Sequence, residues 1–242
     1  MDHARLSISA DDLLPLLGTH KLPRLIDVCL PEDIAANPHR LPTSQHVPHT
    51  EISERARAWN TDRPIVTICQ KGLKLSHGAA AHLRAMGFDA SALTGGNQAW
   101  RAADRPMLAL DQAPPWGTVW VCPAPRDRRA ALCAWVIRRW YDADARILWV
   151  PADHVYDVAE RFGAHAVPDT APLAELLSQR GLACSSLLTH VAALERATAQ
   201  GGDWLDMLSN LHETGEGLAD AALPVLDAAW AAHRHTQRQE AA

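Results

Sequence analysis

Two rhythms of apolar and polar residues run through the first hundred positions. Residues 22–29 (LPRLIDVC) and 64–69 (PIVTIC) are short continuous apolar runs with β-branched side chains, the pattern of strands buried on both faces. From 76 to 86, Ala79, Ala80, Leu83 and Met86 recur at helical spacing, and Gly87 is a natural stop. A brief apolar run at 90–93 is closed by Gly95-Gly96 and leads into a short helix at 97–102. Ahead of these, Ser9-Ala10-Asp11-Asp12 reads as a capping box for a helix carrying Leu13, Leu14, Leu16 and Leu17. Pro15 falls in its first turns, where it costs less than in a helix interior. Residues 31–49, rich in Pro, His and polar side chains, read as loop. Strand and helix in alternation predict an α/β domain with a central parallel sheet flanked by helices.

The rhythm stops at 103–117, where Pro106, Pro114 and Pro115 mark a candidate linker. Beyond it the pattern predicts a strand at 118–122, a helix at 127–141, a strand at 146–150 and a helix at 154–162. From Leu173 the chain reads as mostly helical, broken at Gly201-Gly202 and at 215–217, with a polar, frayed tail at 233–242. We therefore expect two domains, 1–110 and 118–242, the second a mostly helical α+β unit.

Composition narrows the function classes. The 242 residues include 48% hydrophobic and 21% charged side chains, which excludes global disorder. No apolar run approaches the roughly 18 residues of a membrane span. Met1-Asp2-His3-Ala4-Arg5 enters a polar segment without the apolar stretch of a signal peptide. The five cysteines form no C-x-x-C pair, so neither a disulfide framework nor a zinc ribbon is expected, and the cytoplasm is the expected compartment. The net charge is −5. Up to residue 110 there are 12 basic and 11 acidic residues (+1), and beyond it 11 basic and 17 acidic (−6). Neither half is basic enough to argue for nucleic acid, and no membrane partner is expected. Oligomeric state is not legible.

The informative chemistry is Cys69-Gln70-Lys71-Gly72-Leu73-Lys74-Leu75-Ser76. A cysteine closes a buried strand, a glycine-containing loop follows, and then a helix begins. Ligands of open α/β sheets bind outside the carboxyl ends of the strands. Loop N–H groups and the helix N-terminus there favour negative charge, which populates a nucleophilic thiolate. Gly72 lets the backbone curl where a Cβ would be strained. Lys71 and Lys74, two of only three lysines in the chain, add positive charge. A buried structural cysteine is the competing reading.

Three stretches, in order, carry a resemblance: Leu25-Ile26-Asp27-Val28, the Cys69-x-x-Gly72-x-Lys74 loop, and Leu93-Thr94-Gly95-Gly96-Asn97-Gln98-Ala99-Trp100. Residues 6–108 resemble a rhodanese-like sulfurtransferase domain. The resemblance implies a flattened α/β domain in which Cys69 takes sulfane sulfur from a donor such as thiosulfate, forms a persulfide, and passes it to a thiophilic acceptor such as a thiol or cyanide. It implies that Gln70, Lys71, Gly72, Leu73 and Lys74 form the anion cradle, that Ser76 caps the following helix, and that Asp27 holds the loop. No cofactor is implied. Cys29 stands where the family commonly has Arg, and is either a core cysteine or a disulfide partner that resolves the persulfide. Lys74-Leu75 precede Ser76 where the family has Arg directly before Ser. The loop is too short for a phosphate- or arsenate-type oxyanion, so phosphatase activity is not expected.

In the second half, Asp127-Arg128-x-Ala130, Trp135-Val136-Ile137-Arg138-Arg139, Asp142, Val150-Pro151, Gly163-Ala164, Pro168-Asp169 and the run 180–185 (RGLACS) resemble the C-terminal domain of ChrB-type chromate-resistance proteins. The resemblance implies a chromate-resistance context, with a chromate- or oxyanion-responsive sensor as the alternative to a turnover enzyme. Arg126, Arg128, Arg129, Arg138 and Arg139 crowd a short span, and Arg128 and Arg139 lie eleven apart, close to three helical turns. Arg128, Arg138 and Arg139 are thus a candidate oxyanion patch, or else a solvated face paired with Asp127, Asp142 and Asp144. Trp135, Trp140 and Trp149 read as core. Cys184, His190, His212 and Glu213 are ligand types without a recognised metal spacing, and no metal is expected.

Overall fold

A computed structural model describes residues 6–124, 128–168, 171–199 and 215–240. The chain forms two compact units, one of Met1–Leu17 with Lys21–Asp111 and one of Gly18–His20 with Gln112–Ala242.

The first unit is built on a five-stranded, all-parallel sheet. Its strands are β1 (Ser7–Ile8), β2 (Arg24–Asp27), β4 (Gln45–His46), β5 (Ile65–Ile68) and β6 (Ala90–Leu93), in the spatial order β1-β6-β5-β2-β4. All four residues of β5 are buried, as expected of a central parallel strand covered on both faces. Helices α1 (Ala10–Leu13), α2 (Pro31–Ala36), α3 (Ile52–Ala56), α4 (Lys74–Ala85) and α5 (Gly96–Ala102) flank the sheet. Ser9 does cap α1, accepting from the Asp12 N–H at 3.1 Å. Ile26, Val28, Ile65, Ala80, Leu83 and Ala92 share one core cluster with Cys29 and Cys69.

Residues 31–49 are not one loop. Pro31 opens α2 at its first turn, where its missing N–H costs nothing, and two-residue strands follow at β3 (His39–Arg40) and β4. β3 pairs antiparallel with β7 (Met107–Ala109), inside the stretch read as linker.

In the second unit β8 (Trp120–Pro123) lies between β10 (His165–Ala166) and β9 (Ile147–Val150), all parallel. Helix α6 (Arg128–Val136) continues into a π-turn, Ile137–Tyr141, which the Asp142 N–H closes on the Ile137 carbonyl at 3.0 Å. Helices α7 (Val155–Phe162), α8 (Leu173–Gln179), α9 (Ser185–Ala199) and α10 (Gly215–Glu240) complete the unit. Trp135 and Trp140 are fully buried, and Trp149 is half-buried. Residues 215–217, read as a break, are the first residues of a helix, and the tail is helical as far as Glu240. α10 runs from Gly215 to Glu240 through Pro224 because Leu218, Ala219, Ala222, Leu226 and Trp230 bury one side of it. No helix of the described residues is long and apolar enough to cross a membrane.

Candidate active site

Cys69 directly follows β5, at the carboxyl edge of the parallel sheet, and is buried to 5% exposure. Its carbonyl accepts the Asn97 N–H at 3.1 Å, and the Gln70 carbonyl accepts the Gln98 N–H at 2.9 Å. These are first-turn N–H groups of α5, which has no side-chain cap. The loop's carbonyls thus cap α5. The N–H groups of Gln70, Lys71, Gly72 and Leu73 donate to no acceptor among the described residues. The loop therefore spends its acceptors on α5 and keeps four donors for something else.

Two glycines make this arrangement possible. Gly72 (φ 64°) and Gly96 (φ 57°) both sit in the left-handed region. A Cβ on Gly72 would lie 2.5 Å from the Gly95 nitrogen and from the Leu93 carbonyl oxygen. A Cβ on Gly96 would lie 2.5 Å from the Gly72 nitrogen and closer still to the Cys69 carbonyl oxygen. The Gly95-Gly96 turn and the Cys69 loop are interlocked backbone against backbone.

Ser76 is the correction. Helix α4 starts at Lys74, two residues before the sequence reading, with Leu73 at its cap and no side-chain cap bond. Ser76 lies in the first turn, fully buried, with its Oγ 3.2 Å from the Cys69 Sγ and 3.2 Å from the Leu73 carbonyl oxygen. Its hydroxyl has one hydrogen. With a thiol at Cys69, that hydrogen goes to Leu73 and the S–H donates to Ser76. With a thiolate, it turns to the sulfur. The backbone around Ser76 is held by Thr67, whose Oγ1 donates to the Ser76 carbonyl at 2.7 Å.

Asp27 sits beneath the loop, 4% exposed. Its Oδ1 accepts the Cys29 N–H at 2.9 Å and its Oδ2 accepts the Asn97 Nδ2 at 3.3 Å. Asn97 therefore connects the end of β2, through its side chain, to the Cys69 carbonyl, through its backbone. Burial first, and then the Asp27 carboxylate, push the Cys29 thiol well above the ordinary range. Cys29 is thus a core thiol, also accepting from Asn97 Nδ2 at 3.3 Å, and a poor attacking group. Lys71 and Lys74 are exposed and make no ion pair among the described residues, and Leu73 between them is 59% exposed.

The structure brings Cys69, Gln70, Lys71, Gly72, Leu73, Lys74 and Ser76 together, with Asp27 beneath. Thr67 and Asn97 were not singled out from the sequence. Asn97 lay inside a recognised stretch, but its role needs β2 and α5 side by side. Thr67, one polar residue within an apolar strand, was the available signal.

Arg138 and Arg139 of the candidate oxyanion patch are already engaged. Arg138 pairs with Asp220, and Arg139 Nε donates to Asp227 at 2.9 Å. Asp227, 4% exposed, also accepts from Trp135 Nε1 at 2.9 Å and from the His20 N–H at 2.8 Å. Their partners lie on α10, not at Asp127, Asp142 or Asp144. Arg126, Asp127, Asp169, Gly201, Gly202, His212, Glu213 and the side chain of Arg128 lie outside the described residues. His190 is buried against Trp135, Trp230 and His233.

Comparison with known proteins places this geometry. The model of the rhodanese-like domain family matches residues 9–103. The chain is 37% identical over 79 residues to the thiosulfate sulfurtransferase GlpE of Pseudomonas fluorescens, covering 32% of this chain and 70% of that protein. It is 35% identical over 78 residues to the protein of the same name from Pseudomonas syringae pv. syringae, covering 32% and 71%. Among solved structures it is similar to a rhodanese-related protein from Thermoplasma volcanium (25% identity, 43% of this chain and 97% of that one, TM-score 0.37). It is also similar to a rhodanese-like domain protein from Staphylococcus aureus (28% identity, 39% and 89%, TM-score 0.35). Through its first unit, the chain belongs to the rhodanese-like family.

Proposed function

We propose that this protein is a sulfurtransferase that carries sulfane sulfur as a persulfide on Cys69. The observation that carries the reading is a buried cysteine at the end of the central strand, followed by four loop N–H groups without an acceptor among the described residues. The Cys69 thiolate attacks the sulfane sulfur of thiosulfate. The new S–S bond forms as the old one breaks, and sulfite leaves with the electron pair. The persulfide's negative outer sulfur is then held by the N–H groups of Gln70 to Leu73 and by the Ser76 hydroxyl. A thiolate or cyanide attacks that outer sulfur, and Cys69 leaves as a thiolate. No external oxidant or reductant enters the balance. Lys71 and Lys74 draw the dianionic donor to the loop. The curated relatives named as thiosulfate sulfurtransferases support thiosulfate as donor.

We read the domains as 1–110 and 118–242, the latter resembling in its motifs the C-terminal domain of ChrB-type chromate-resistance proteins. An oxyanion-sensor role for that part lacks support from Arg138 and Arg139, whose guanidinium groups face carboxylates. The test is steady-state thiocyanate formation from thiosulfate and cyanide. Ping-pong kinetics that vanish in Cys69→Ser support the reading, and turnover surviving in Cys69→Ser overturns it.

A further inference from the structure

Asn97, the second residue of α5, is 2% exposed and spends its side chain on the end of β2. Its Nδ2 carries two hydrogens. One faces Asp27 Oδ2 and the other faces Cys29 Sγ, each at 3.3 Å. Asp27 accepts the Cys29 N–H on its other oxygen at 2.9 Å. The side chains of Asn97 and Asp27 thus join the first turn of α5 to the segment that leaves β2.

The backbone of the same turn faces the Cys69 loop. The Asn97 N–H holds the Cys69 carbonyl at 3.1 Å, and the Gln98 N–H holds the Gln70 carbonyl at 2.9 Å. No peptide bond among the described residues is cis. In a trans peptide, a carbonyl and the N–H of the next residue lie in one plane and point in opposite directions. A carbonyl fixed on α5 therefore fixes the N–H that follows it. Anchoring the Cys69 carbonyl turns the Gln70 N–H away from α5, and anchoring the Gln70 carbonyl does the same for the Lys71 N–H. These are two of the four loop N–H groups without an acceptor among the described residues. Their direction follows the place of the first turn of α5, and the Asn97 side chain holds that turn against β2.

We propose that Asn97 is a positioning residue for sulfur transfer: through its bond to Asp27 it sets the direction of the Gln70 and Lys71 N–H groups that hold the persulfide's outer sulfur. The proposal rests on the sulfurtransferase reading of Cys69 and names the residue that orders its anion site. Asn97 acts through the backbone of α5 and of the loop. An aspartate in its place would set a second carboxylate against Asp27, and the two would repel. An alanine would leave Asp27 Oδ2 buried without that donor. Exchanging the two residues preserves the bond. In Asp27→Asn/Asn97→Asp the amide at 27 donates to the carboxylate at 97, and the amide oxygen at 27 still accepts the Cys29 N–H.

The test incubates the full chain with thiosulfate and sulfite in varied ratio and reads the fraction of protein carrying one extra sulfur by intact mass. Sulfite is the leaving group, so the ratio at half-loading reports the stability of the persulfide against the free thiolate. A role confined to holding the fold together does not move that ratio in protein that is folded by near-UV circular dichroism. Asn97→Ala and Asn97→Asp should need about tenfold more thiosulfate relative to sulfite, the loss of about one well-directed hydrogen bond to a charged atom, and the exchanged pair should return to within about threefold of the wild type. Asn97→Ala adds no charge and reads the effect even where Asn97→Asp does not fold. Half-loading of folded Asn97→Ala at the wild-type ratio, or an exchanged pair no better than Asn97→Asp, overturns the proposal and leaves the sulfur reading standing. A wild type that takes up no sulfur at any ratio overturns the sulfur reading itself, and the role of Asn97 with it.

Discussion

Replacing Gly96 by alanine attacks the interlock between the two loops that shape the Cys69 site. The residue sits at φ 57°, which costs an ordinary L-residue about 1–2 kcal/mol. Its new Cβ would lie 2.5 Å from the Gly72 nitrogen and nearer still to the Cys69 carbonyl oxygen, and both obstacles are backbone. Relief requires the loops to separate by about 1 Å, and this loosens the Asn97-to-Cys69 and Gln98-to-Gln70 hydrogen bonds, each worth about 1 kcal/mol. The expected total is about 3–4 kcal/mol, a fall in melting temperature of roughly 10 °C for a chain of this length. Sulfur transfer should fall further, on the order of 100-fold, because the same shift misplaces the N–H groups around the sulfur. Gly78 is the internal control: it lies within α4, and a Cβ there meets nothing within 4 Å. Gly78→Ala should keep full activity and add about 1 kcal/mol of stability. Calorimetry and thiocyanate formation on the two variants decide the matter. If Gly96→Ala melts and transfers sulfur as the wild type does, the interlock does not shape the site.

Ser76→Ala removes the hydroxyl 3.2 Å from Cys69 Sγ, and alkylation of Cys69 by iodoacetamide at neutral pH should slow about tenfold while the fold persists, a loss of about 1–2 kcal/mol. Unchanged alkylation would leave Ser76 a merely structural role. The double variant Lys71→Gln/Lys74→Gln should lower kcat/KM for thiosulfate several-fold and flatten its dependence on salt, since both side chains are exposed and screened. An undiminished salt slope would place the steering charge elsewhere. His190 gives a pH signature of stability. Burial, then His233, lowers its pKa from 6.5 to about 4, so between those values the unfolded chain takes up a proton that the folded chain refuses. Stability should therefore fall by up to about 3 kcal/mol as pH drops from about 6.5 to about 4. His190→Phe should flatten that slope in denaturant titrations, and an unaltered slope would assign it to other groups.

The parts of the fold that the sequence made legible are those whose burial leaves a local trace. β2, β5 and β6 read as continuous apolar runs because the parallel sheet buries both their faces. Helix α2 and the two-residue strands β3 and β4 left none, being too short to show a period. The cysteine, the loop and the double glycine were visible as a pattern. The reason for Gly96 was not, because it is a clash between backbones some 24 residues apart. Ser76 was misread for a similar cause: position suggested a cap, whereas its bond is to a sulfur across the loop. In the second half, glycines 215 and 217 stand in the first turn of α10, whose length the buried Leu218, Ala222 and Trp230 sustain. The partners of Arg138 and Arg139 lie more than 80 residues downstream, beyond any local pattern.

The most direct test of the central claim is the intact mass of the protein after incubation with thiosulfate, for the wild type and for Cys69→Ser. The account predicts a gain of one sulfur atom in the wild type alone, reversed by cyanide or by a reducing thiol. No gain in the wild type, or the same gain in Cys69→Ser, would contradict it.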